Sequence, residues 1–230
     1  MNPKIIIICG GIGTRWGQHN GIDKHFARVS GEKLIERTLR LLKPYSVESI
    51  NIIARPNNIS NFLEFLESDR IFVFNAVNID GALDANKFLS SRDLWNEKGR
   101  TIVLYGDVFF TSEAIDKIMT TDASWSLFGR AFGSEYTGKP YGECFAQSFT
   151  SESINEHHDA LLRIIRLHRS GIINRCGGWE HYRAMINIED SRMNDHLVGA
   201  RFVNIDDFTD DFDSPEEYQT FIENYEKSKL

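Results

Sequence analysis

The chain opens with residues 5–26, IIIICGGIGTRWGQHNGIDKHF, in which an apolar run leads straight into a glycine-rich turn. Glycines in such a turn let backbone N–H groups approach a phosphate closely. The glycines alone fit an unliganded strand-to-helix turn equally well. Arg15 and the delayed Lys24 favour a triphosphate, because they supply the positive charge that it attracts. The residues predicted to hold the nucleotide here are Gly10, Gly11, Gly13 and Thr14.

Two commoner glycine loops do not fit this turn. A dinucleotide fingerprint needs glycine at position 16 and an acidic residue at the end of the second strand, but the chain has Trp16 and Arg55 there. A P-loop places lysine and a hydroxyl residue directly after its last glycine, whereas Thr14 and Arg15 follow Gly13. The turn therefore indicates a phosphate site of another type.

Composition narrows the class of protein. With 230 residues and 41% hydrophobic content, the chain can bury roughly 70–75% of its unfolded surface, which predicts one domain. A net charge of −7 argues against nucleic-acid and acidic-membrane partners, because a polyanion needs a basic face. No apolar stretch approaches the ~20 residues of a membrane span, so we expect neither a signal peptide nor an anchor.

Cysteine usage points to a compartment. Cys9, Cys144 and Cys176 are widely separated, a spacing that suits neither a disulfide framework nor a zinc cluster. We therefore predict a reducing, cytoplasmic location. The sequence leaves the oligomeric state open, with a homodimer as one candidate.

Apolar strands alternate with amphipathic segments, which indicates an α/β fold with a mainly parallel central sheet and helices on both faces. The second half is a smaller mixed region in which residues 125–130 and 143–149 run in opposite directions. The predicted strands cover residues 5–9, 49–54, 71–74, 101–105, 125–130, 143–149 and 200–203. The predicted helices cover residues 58–67, 83–96, 113–119, 158–169 and 178–188, with one more capped by Ser30 and ending at Pro44, and another beginning at Pro215.

A buried strand at residues 101–105 ends in Gly106 and Asp107. In open α/β sheets, ligands bind beyond the carboxyl ends of the strands, so Asp107 is expected to face the glycine turn. Capping of the next helix is the structural alternative, but Thr111 and Ser112 are available for that role. We therefore predict that Asp107 contacts a ligand.

A second acidic segment, residues 206–213, precedes the last predicted helix. Ser214 as N-cap, Pro215 as the first helical residue and Glu217 three positions after the cap predict a capping box. Asp213 is then free for another role. Aspartates drawn together into a cleft need a cation, and Mg²⁺ prefers oxygen ligands. The residues predicted to bind metal are Asp211 and Asp213, and those predicted to be solvated are Asp206, Asp207 and Asp210.

Together, the glycine turn with its arginine and delayed lysine, the Gly106-Asp107 pair and the segment from Asp211 to Glu217 resemble the GT-A-like nucleotidyltransferases. These enzymes make nucleotide-activated sugars, alditols and related phosphates. The resemblance extends over nearly the whole chain, because the three motifs fall at its start, middle and end in the family order. It departs at Asp23, where the family has proline before the lysine.

The resemblance implies a Rossmann-like GT-A fold over residues 1–230, with a nucleotide-binding half at 1–122, an acceptor-side half at 123–203 and a metal loop with a C-terminal helix at 204–230. It also implies a reaction in which a phosphorylated acceptor attacks the α-phosphorus of a nucleoside triphosphate and pyrophosphate leaves. Arg15 and Lys24 would be catalytic, and Asp107 and Asp213 would hold Mg²⁺. Residues 78–82 resemble the base-binding loop, which assigns Gly81 and Ala82 to the nucleotide.

The acceptor side is predicted from three residues of the second half. Trp179 and Glu180 follow a flexible Gly177-Gly178 turn and could line a pocket, although packing is the ordinary role of a tryptophan. Lys139 could reach a phosphate, with an exposed loop position as its ordinary alternative. The His157-His158 pair starts a partly apolar helix, and we predict a structural role for it.

Two other functions remain open from the sequence. A GT-A glycosyltransferase would bind a nucleotide-sugar and a metal without needing Arg15 and Lys24 to hold a leaving pyrophosphate. A non-catalytic nucleotide-binding regulator could dispense with the two metal carboxylates. Pyrophosphate release separates both from a nucleotidyltransferase.

Overall fold

A seven-stranded sheet forms the centre of the molecule, as seen in a computed structural model that describes residues 1–11, 13–17, 19–66, 68–75 and 84–230. Gly81 and Ala82 lie outside the described residues. The strands, in chain order, are β1 (Lys4–Cys9), β2 (Arg28–Val29), β3 (Glu32–Lys33), β4 (Ser49–Ala54), β5 (Ile71–Asn75), β6 (Arg100–Tyr105), β7 (Val108–Phe109), β8 (Trp125–Phe132), β9 (Tyr141–Thr150), β10 (Phe202–Asn204) and β11 (Asp210–Asp211). The α-helices are α1 (Leu34–Leu42), α2 (Asp84–Leu89), α3 (Ser112–Thr120), α4 (Ile154–Arg169), α5 (Gly178–Met185) and α6 (Pro215–Lys227).

The sheet has the order β10-β8-β9-β6-β1-β4-β5. All its strand pairs are parallel except those of β9, which runs antiparallel to both β6 and β8. The central strand β1 pairs with β4 on one side and β6 on the other. A strand covered on both faces must be apolar throughout, which explains its run of four isoleucines. The predicted mainly parallel sheet is confirmed.

Helices cover both faces of the sheet. Ile5 and Ile7 of β1 point into one apolar layer, which also contains Leu39 of α1 and Ile115 of α3. Ile6 and Ile8 point into the other layer, where residues of α2, α4 and α5 pack. In the described part of the chain, no helix has the length and apolar composition needed to cross a bilayer.

The start of α1 differs from the prediction. Ser30 does not cap this helix, because it lies in a turn with a positive φ of 50°. The helix begins at Leu34, and the carboxylate of Glu36 accepts a hydrogen bond from the Lys33 backbone N–H at 3.0 Å. The short strands β2 and β3 pair in antiparallel fashion on either side of the tight turn at Ser30 and Gly31, directly before this helix.

Two predicted helices are shorter or more tightly wound than expected. Residues 58–67 belong largely to a 3₁₀ helix, Pro56–Phe65, in a segment rich in asparagine, a weak helix former. The helix predicted at 83–96 ends at Leu89, followed by a short 3₁₀ turn. The hydroxyls of Ser90 and Ser91 donate to the carbonyls of Lys87 and Phe88, and such local side-chain bonds compete with helix continuation.

A third apolar cluster joins the two ends of the chain. Trp16, which follows the glycine turn, packs against Phe212 and Tyr218 with ring centroids 6.2 and 5.5 Å away. Phe221 of α6 is fully buried and contacts Phe109 of β7 in the same cluster. The glycine turn and the C-terminal acidic segment are therefore fixed to each other.

A pair of buried histidines lies between the sheet and α4 and α5. His157 accepts a hydrogen bond from the Trp125 indole at 3.1 Å and stacks on Phe149, as a structural role predicts. His181 bonds the amide of Gln147 at 3.0 Å. Burial lowers the pKa of His181 from its usual 6.5 to about 3.

This shift predicts acid sensitivity. Between pH 6.5 and about 3 the unfolded chain binds a proton at His181 while the folded chain does not, so the free energy of unfolding should fall as the pH falls. One such proton contributes a slope of about 1.4 kcal/mol per pH unit. Urea unfolding from pH 7 to pH 4 should show a smaller slope for His181→Gln than for the natural chain. Equal slopes in the two proteins would contradict this assignment.

Candidate active site

A cavity of about 570 Å³ opens at the carboxyl ends of β1 and β6 and beside β9. Its walls come from the glycine turn, from Asp107 after β6, from Glu143 of β9 and from the start of α5. Of the predicted site residues, those that line it are Gly11, Gly13, Thr14, Arg15, Lys24, Asp107, Trp179, Glu180, Asp211 and Asp213. The fold thus brings the three sequence motifs to a single opening.

Two glycines shape the backbone beside the cavity, Gly13 in the glycine turn and Gly106 directly after β6. Gly13 has a φ of 60°, and its carbonyl accepts a hydrogen bond from Gly17 at 3.0 Å. Gly10 is buried behind the cavity wall. At Gly106, a Cβ atom would lie 2.3 Å from the sulfur of Cys9, so only glycine lets β6 turn towards the cavity beside β1. This turn presents Asp107.

Lys24 lies at the centre of the acidic residues. It begins a 3₁₀ turn, Lys24–Phe26, and only 5% of its surface is exposed. Its ammonium lies 3.1 Å from an Asp107 oxygen, 3.0 Å from an Asp213 oxygen, and in contact with Asp211. The carboxylates of Asp107 and Asp213, 106 positions apart in sequence, therefore meet at one ammonium group.

Lys139 is a second buried cation. The alternative prediction from the sequence, an exposed lysine in a loop, is wrong. Its side chain is fully buried because the turn before β9 folds inward, with the Lys139 carbonyl accepting from the Ser134 N–H at 2.8 Å. The ammonium lies 2.8 Å from Glu143, 3.1 Å from Asp213 and 3.5 Å from Glu217.

Arg15 lies at the cavity mouth, with 61% of its side chain exposed. Its guanidinium pairs with Asp213 at 2.6 Å and donates to the Tyr141 hydroxyl at 3.2 Å. Asp213 is therefore in contact with Arg15, Lys24 and Lys139 at once. Removing it would release three cations together.

The charges of the cluster do not balance. It holds three cations, Arg15, Lys24 and Lys139, and five carboxylates, listed here in chain order: Asp107, Glu143, Asp211, Asp213 and Glu217. When all are ionised, two negative charges remain without a counterion inside the cluster. A divalent cation would neutralise them.

The carboxylates differ in how readily they ionise. Burial favours the neutral form of Asp213, but Lys24, Lys139 and Arg15 outweigh it and hold the pKa of Asp213 below its usual range. Burial is likewise outweighed at Asp107 by Lys24 and His25, so its pKa is lowered. At Asp211 burial prevails over both lysines, and its pKa is raised. A further positive charge nearby would favour the loss of its proton.

The donor set fits a hard divalent cation. Oxygens of Glu143, Asp211 and Asp213 all lie within 4.8 Å of one another, and oxygen ligands at such spacing suit Mg²⁺. Asp107 is not one of these three residues. It contacts the Lys24 ammonium, which also contacts Asp211 and Asp213. Glu143 was missed by the sequence analysis, although it is the one acidic residue in the strand sequence YGECFAQSFT, a signal that could have identified it.

Side chains of Arg130 and Ser134 fix the acidic segment, residues 206–213, on the side that faces the interior. Arg130 of β8 donates to the carbonyls of Asp207 and Thr209 at 2.6 and 3.1 Å. The prediction that Asp210 is solvated is wrong: it is fully buried and accepts a hydrogen bond from Ser134. β11 pairs with β7, so Asp210 and Asp211 face opposite sides of the ladder. Burying Asp210 directs Asp211 towards the cavity.

The start of α6 fixes the backbone of Asp213. The Ser214 hydroxyl accepts from the Glu217 N–H at 3.3 Å, as predicted for the N-cap. The Glu217 carboxylate, however, accepts from the Asp213 N–H at 2.7 Å and does not complete a capping box with Ser214. This bond immobilises the residue that contacts all three cations.

The predicted acceptor residues Trp179 and Glu180 line the cavity but are tied to the protein. The Trp179 indole donates to the Gly142 carbonyl at 3.1 Å and stacks on Phe202. The Glu180 carboxylate accepts from the Gly177 N–H at 3.0 Å and pairs with Arg183. Both shape the wall at the start of α5, and their contact with an acceptor stays a prediction.

Residues 5–126 match the family of the MobA-like NTP transferase domain. The chain belongs to this family. A curated relative, the bifunctional IPC transferase and DIPP synthase of Archaeoglobus fulgidus, is 30% identical over 115 residues. That alignment covers 50% of this chain and 22% of the relative, so the chain spans about a fifth of that protein.

Solved structures share the fold over nearly the whole chain. The inositol-1-phosphate CTP transferase from T. maritima aligns with a TM-score of 0.59 at 14% identity and covers 98% of this chain and 97% of its own. The CTP:phosphocholine cytidylyltransferase from Streptococcus pneumoniae aligns with a TM-score of 0.61 at 14% identity, covering 97% and 99%. The predicted fold class is therefore confirmed, including the irregular second half.

Proposed function

We propose that this chain is an Mg²⁺-dependent nucleotidyltransferase that transfers a nucleoside monophosphate from a triphosphate to a small phosphorylated acceptor and releases pyrophosphate. The observation that carries the proposal is the convergence of Asp107, Asp211 and Asp213 on Lys24 beside the glycine turn. The family match supports it, as do structural neighbours named as a CTP transferase and a cytidylyltransferase.

Each residue has a role that follows from its position. Backbone amides of the glycine turn hold the triphosphate, and Arg15, exposed at the mouth, turns from Asp213 to the departing pyrophosphate. Lys24 stays buried and holds the α-phosphate and the incoming acceptor oxygen together. In phosphoryl-type transfers, such positioning and charge neutralisation supply most of the rate acceleration.

Glu143, Asp211 and Asp213, with Asp107 beside them, are the residues that would hold Mg²⁺. When bound, the ion would neutralise negative charge on the α-phosphate as the bond to pyrophosphate breaks. Lys139 keeps Glu143 and Asp213 aligned from the buried side. Its predicted contact with the acceptor phosphate requires that one of these two bonds open.

We place this activity in the cytoplasm. Cys9, Cys144 and Cys176 are buried, and none of the three takes part in a disulfide bond in the described part of the chain. Burial raises the pKa of the Cys9 thiol, so it stays protonated and unreactive. These properties suit a reducing compartment.

A pyrophosphate-release screen tests the function. Four nucleoside triphosphates are mixed with sugar, alditol, amino-alcohol and amino-acid phosphates, with Mg²⁺ or with EDTA. We expect release with at least one pair in Mg²⁺ and none in EDTA. Hydrolysis of a nucleotide-sugar without pyrophosphate release would support a glycosyltransferase. Stabilisation by triphosphate without any turnover would instead support a regulator.

A further inference from the structure

The residue before Lys24 makes a contact that the proposed reaction does not explain. The amide of Asn58 donates to the Asp23 carboxylate at 2.6 Å. This bond faces a separate surface cleft, lined by Asp23, Asn58 and Asn61 among others, and not the cavity. It joins the loop after the glycine turn to the 3₁₀ helix Pro56–Phe65, which follows strand β4.

Asp23 also starts the turn that carries Lys24. Its carbonyl accepts from the Phe26 N–H at 2.9 Å, and it precedes the first residue of the Lys24–Phe26 turn. On the other side, the Trp16 indole donates to the Ile22 carbonyl at 2.9 Å. The backbone that leads into Lys24 is thus held at two consecutive residues, by Trp16 and by Asn58.

We propose that the Asp23–Asn58 hydrogen bond positions Lys24 for transfer, which makes both members positioning residues. This inference rests on the proposed function, because it concerns the cation that would hold the α-phosphate. A lysine side chain has four flexible bonds, so its ammonium can meet three carboxylates and a phosphate only if its backbone is fixed. A misplacement of 1 Å can cost about 100-fold in rate.

The backbone of Asp23 offers a direct test. Its φ of −71° and ψ of 148° lie in the range that proline adopts. Its N–H donates to no group among the described residues. Proline at this position would therefore fix the same backbone geometry without the side-chain bond, and Asp23→Pro should make Lys24 independent of Asn58.

The experiment compares Asn58→Ala, Asp23→Ala, Asp23→Pro and the double variant Asp23→Pro/Asn58→Ala. Asn58→Ala and Asp23→Ala should each lower kcat about 10- to 100-fold, with KM for the acceptor changed by less than about threefold. Both proline variants should retain kcat within about threefold of the natural chain. Asn61→Ala, which alters the same cleft without touching this bond, is the matched control.

Binding of triphosphate gives a readout that does not depend on turnover. Titrations with ATP, CTP, GTP and UTP, followed by calorimetry, should show affinity for the preferred nucleotide weakened about 10-fold in Asn58→Ala and restored in Asp23→Pro/Asn58→Ala. Thermal unfolding checks that each variant folds. If the natural chain releases no pyrophosphate but the variants show these changes in nucleotide affinity, the proposed function is overturned and the positioning role is not.

Two results would overturn the positioning role itself. One is an Asn58→Ala variant that keeps the kcat and the nucleotide affinity of the natural chain. The other is a double variant that folds but remains as impaired as Asn58→Ala, because the bond would then act on something other than the Lys24 backbone.

Discussion

Asp213→Ala should lower the rate of pyrophosphate release by more than ~100-fold, comparable with the loss of a strong electrostatic contributor. Asp213 is in contact with Arg15, Lys24 and Lys139 at 2.6, 3.0 and 3.1 Å. Its removal takes away a proposed metal ligand and leaves three cations free to pair elsewhere. Steady-state kinetics over a range of Mg²⁺ concentrations measure the effect.

Asp206→Ala is the control for this prediction. Asp206 belongs to the same acidic segment, but 77% of its side chain is exposed, and it pairs with the buried Arg130. We expect activity within about twofold of the natural chain, since Arg130 keeps its bonds to the carbonyls of Asp207 and Thr209 when this carboxylate is removed. Near-normal turnover of Asp213→Ala at ordinary Mg²⁺ concentrations would remove this residue from the proposed metal site.

Lys24→Met should reduce activity by about 100- to 1000-fold and should also destabilise the fold. The substitution keeps most of the apolar stem but leaves Asp107, Asp211 and Asp213 facing one another without their shared counterion. Breaking a buried ion pair in this way typically costs about 3–5 kcal/mol. Because a bound divalent cation would replace the lost charge, Mg²⁺ should raise the melting temperature of this variant more than that of the natural chain.

The matched control is Lys33→Met. Lys33 pairs with Glu64 and Glu36 near the surface, away from the cavity, so the substitution should leave activity and the Mg²⁺ response unchanged. If Lys24→Met melts at the same temperature with Mg²⁺ and with EDTA, the carboxylates around it do not bind the ion. If it also transfers nucleotide at the natural rate, Lys24 has no catalytic role.

The sequence predicted that the glycine turn and Asp107 meet at one cavity, because the positions of these residues depend on the parallel strands. The glycine turn follows β1 and Asp107 follows β6, and adjacent parallel strands end at the same edge of a sheet. The buried strands themselves are continuous apolar runs, which are easily recognised. Once β1 and β6 are neighbours, the proximity of their following loops requires no knowledge of the rest of the chain.

The second half was harder to predict because its site residues depend on register and burial. Glu143 reaches the cavity only because β9 runs antiparallel beside β6, a pairing between residues 42 to 50 positions apart. The burial of Lys139 and Asp210 depends on how the turn before β9 folds over the acidic segment. Composition alone favoured exposure for both residues. Charged residues enter an interior only when partners are assembled around them, and a single sequence does not display these partners.

The aromatic packing of Trp16 against Phe212 and Tyr218 has a consequence for the division of the chain into parts. The segment matched by the family, residues 5–126, contains Arg15, Lys24 and Asp107 but none of the carboxylates at 143, 211 and 213. A fragment ending near residue 126 would retain the glycine turn, yet it would lose these three acidic groups and the aromatic side chains of Phe212 and Tyr218 that pack against Trp16. The residues of the cavity and the aromatic residues that hold the glycine turn in place are therefore divided between residues 5–126 and the rest of the chain. The smallest fragment expected to be active extends through α6.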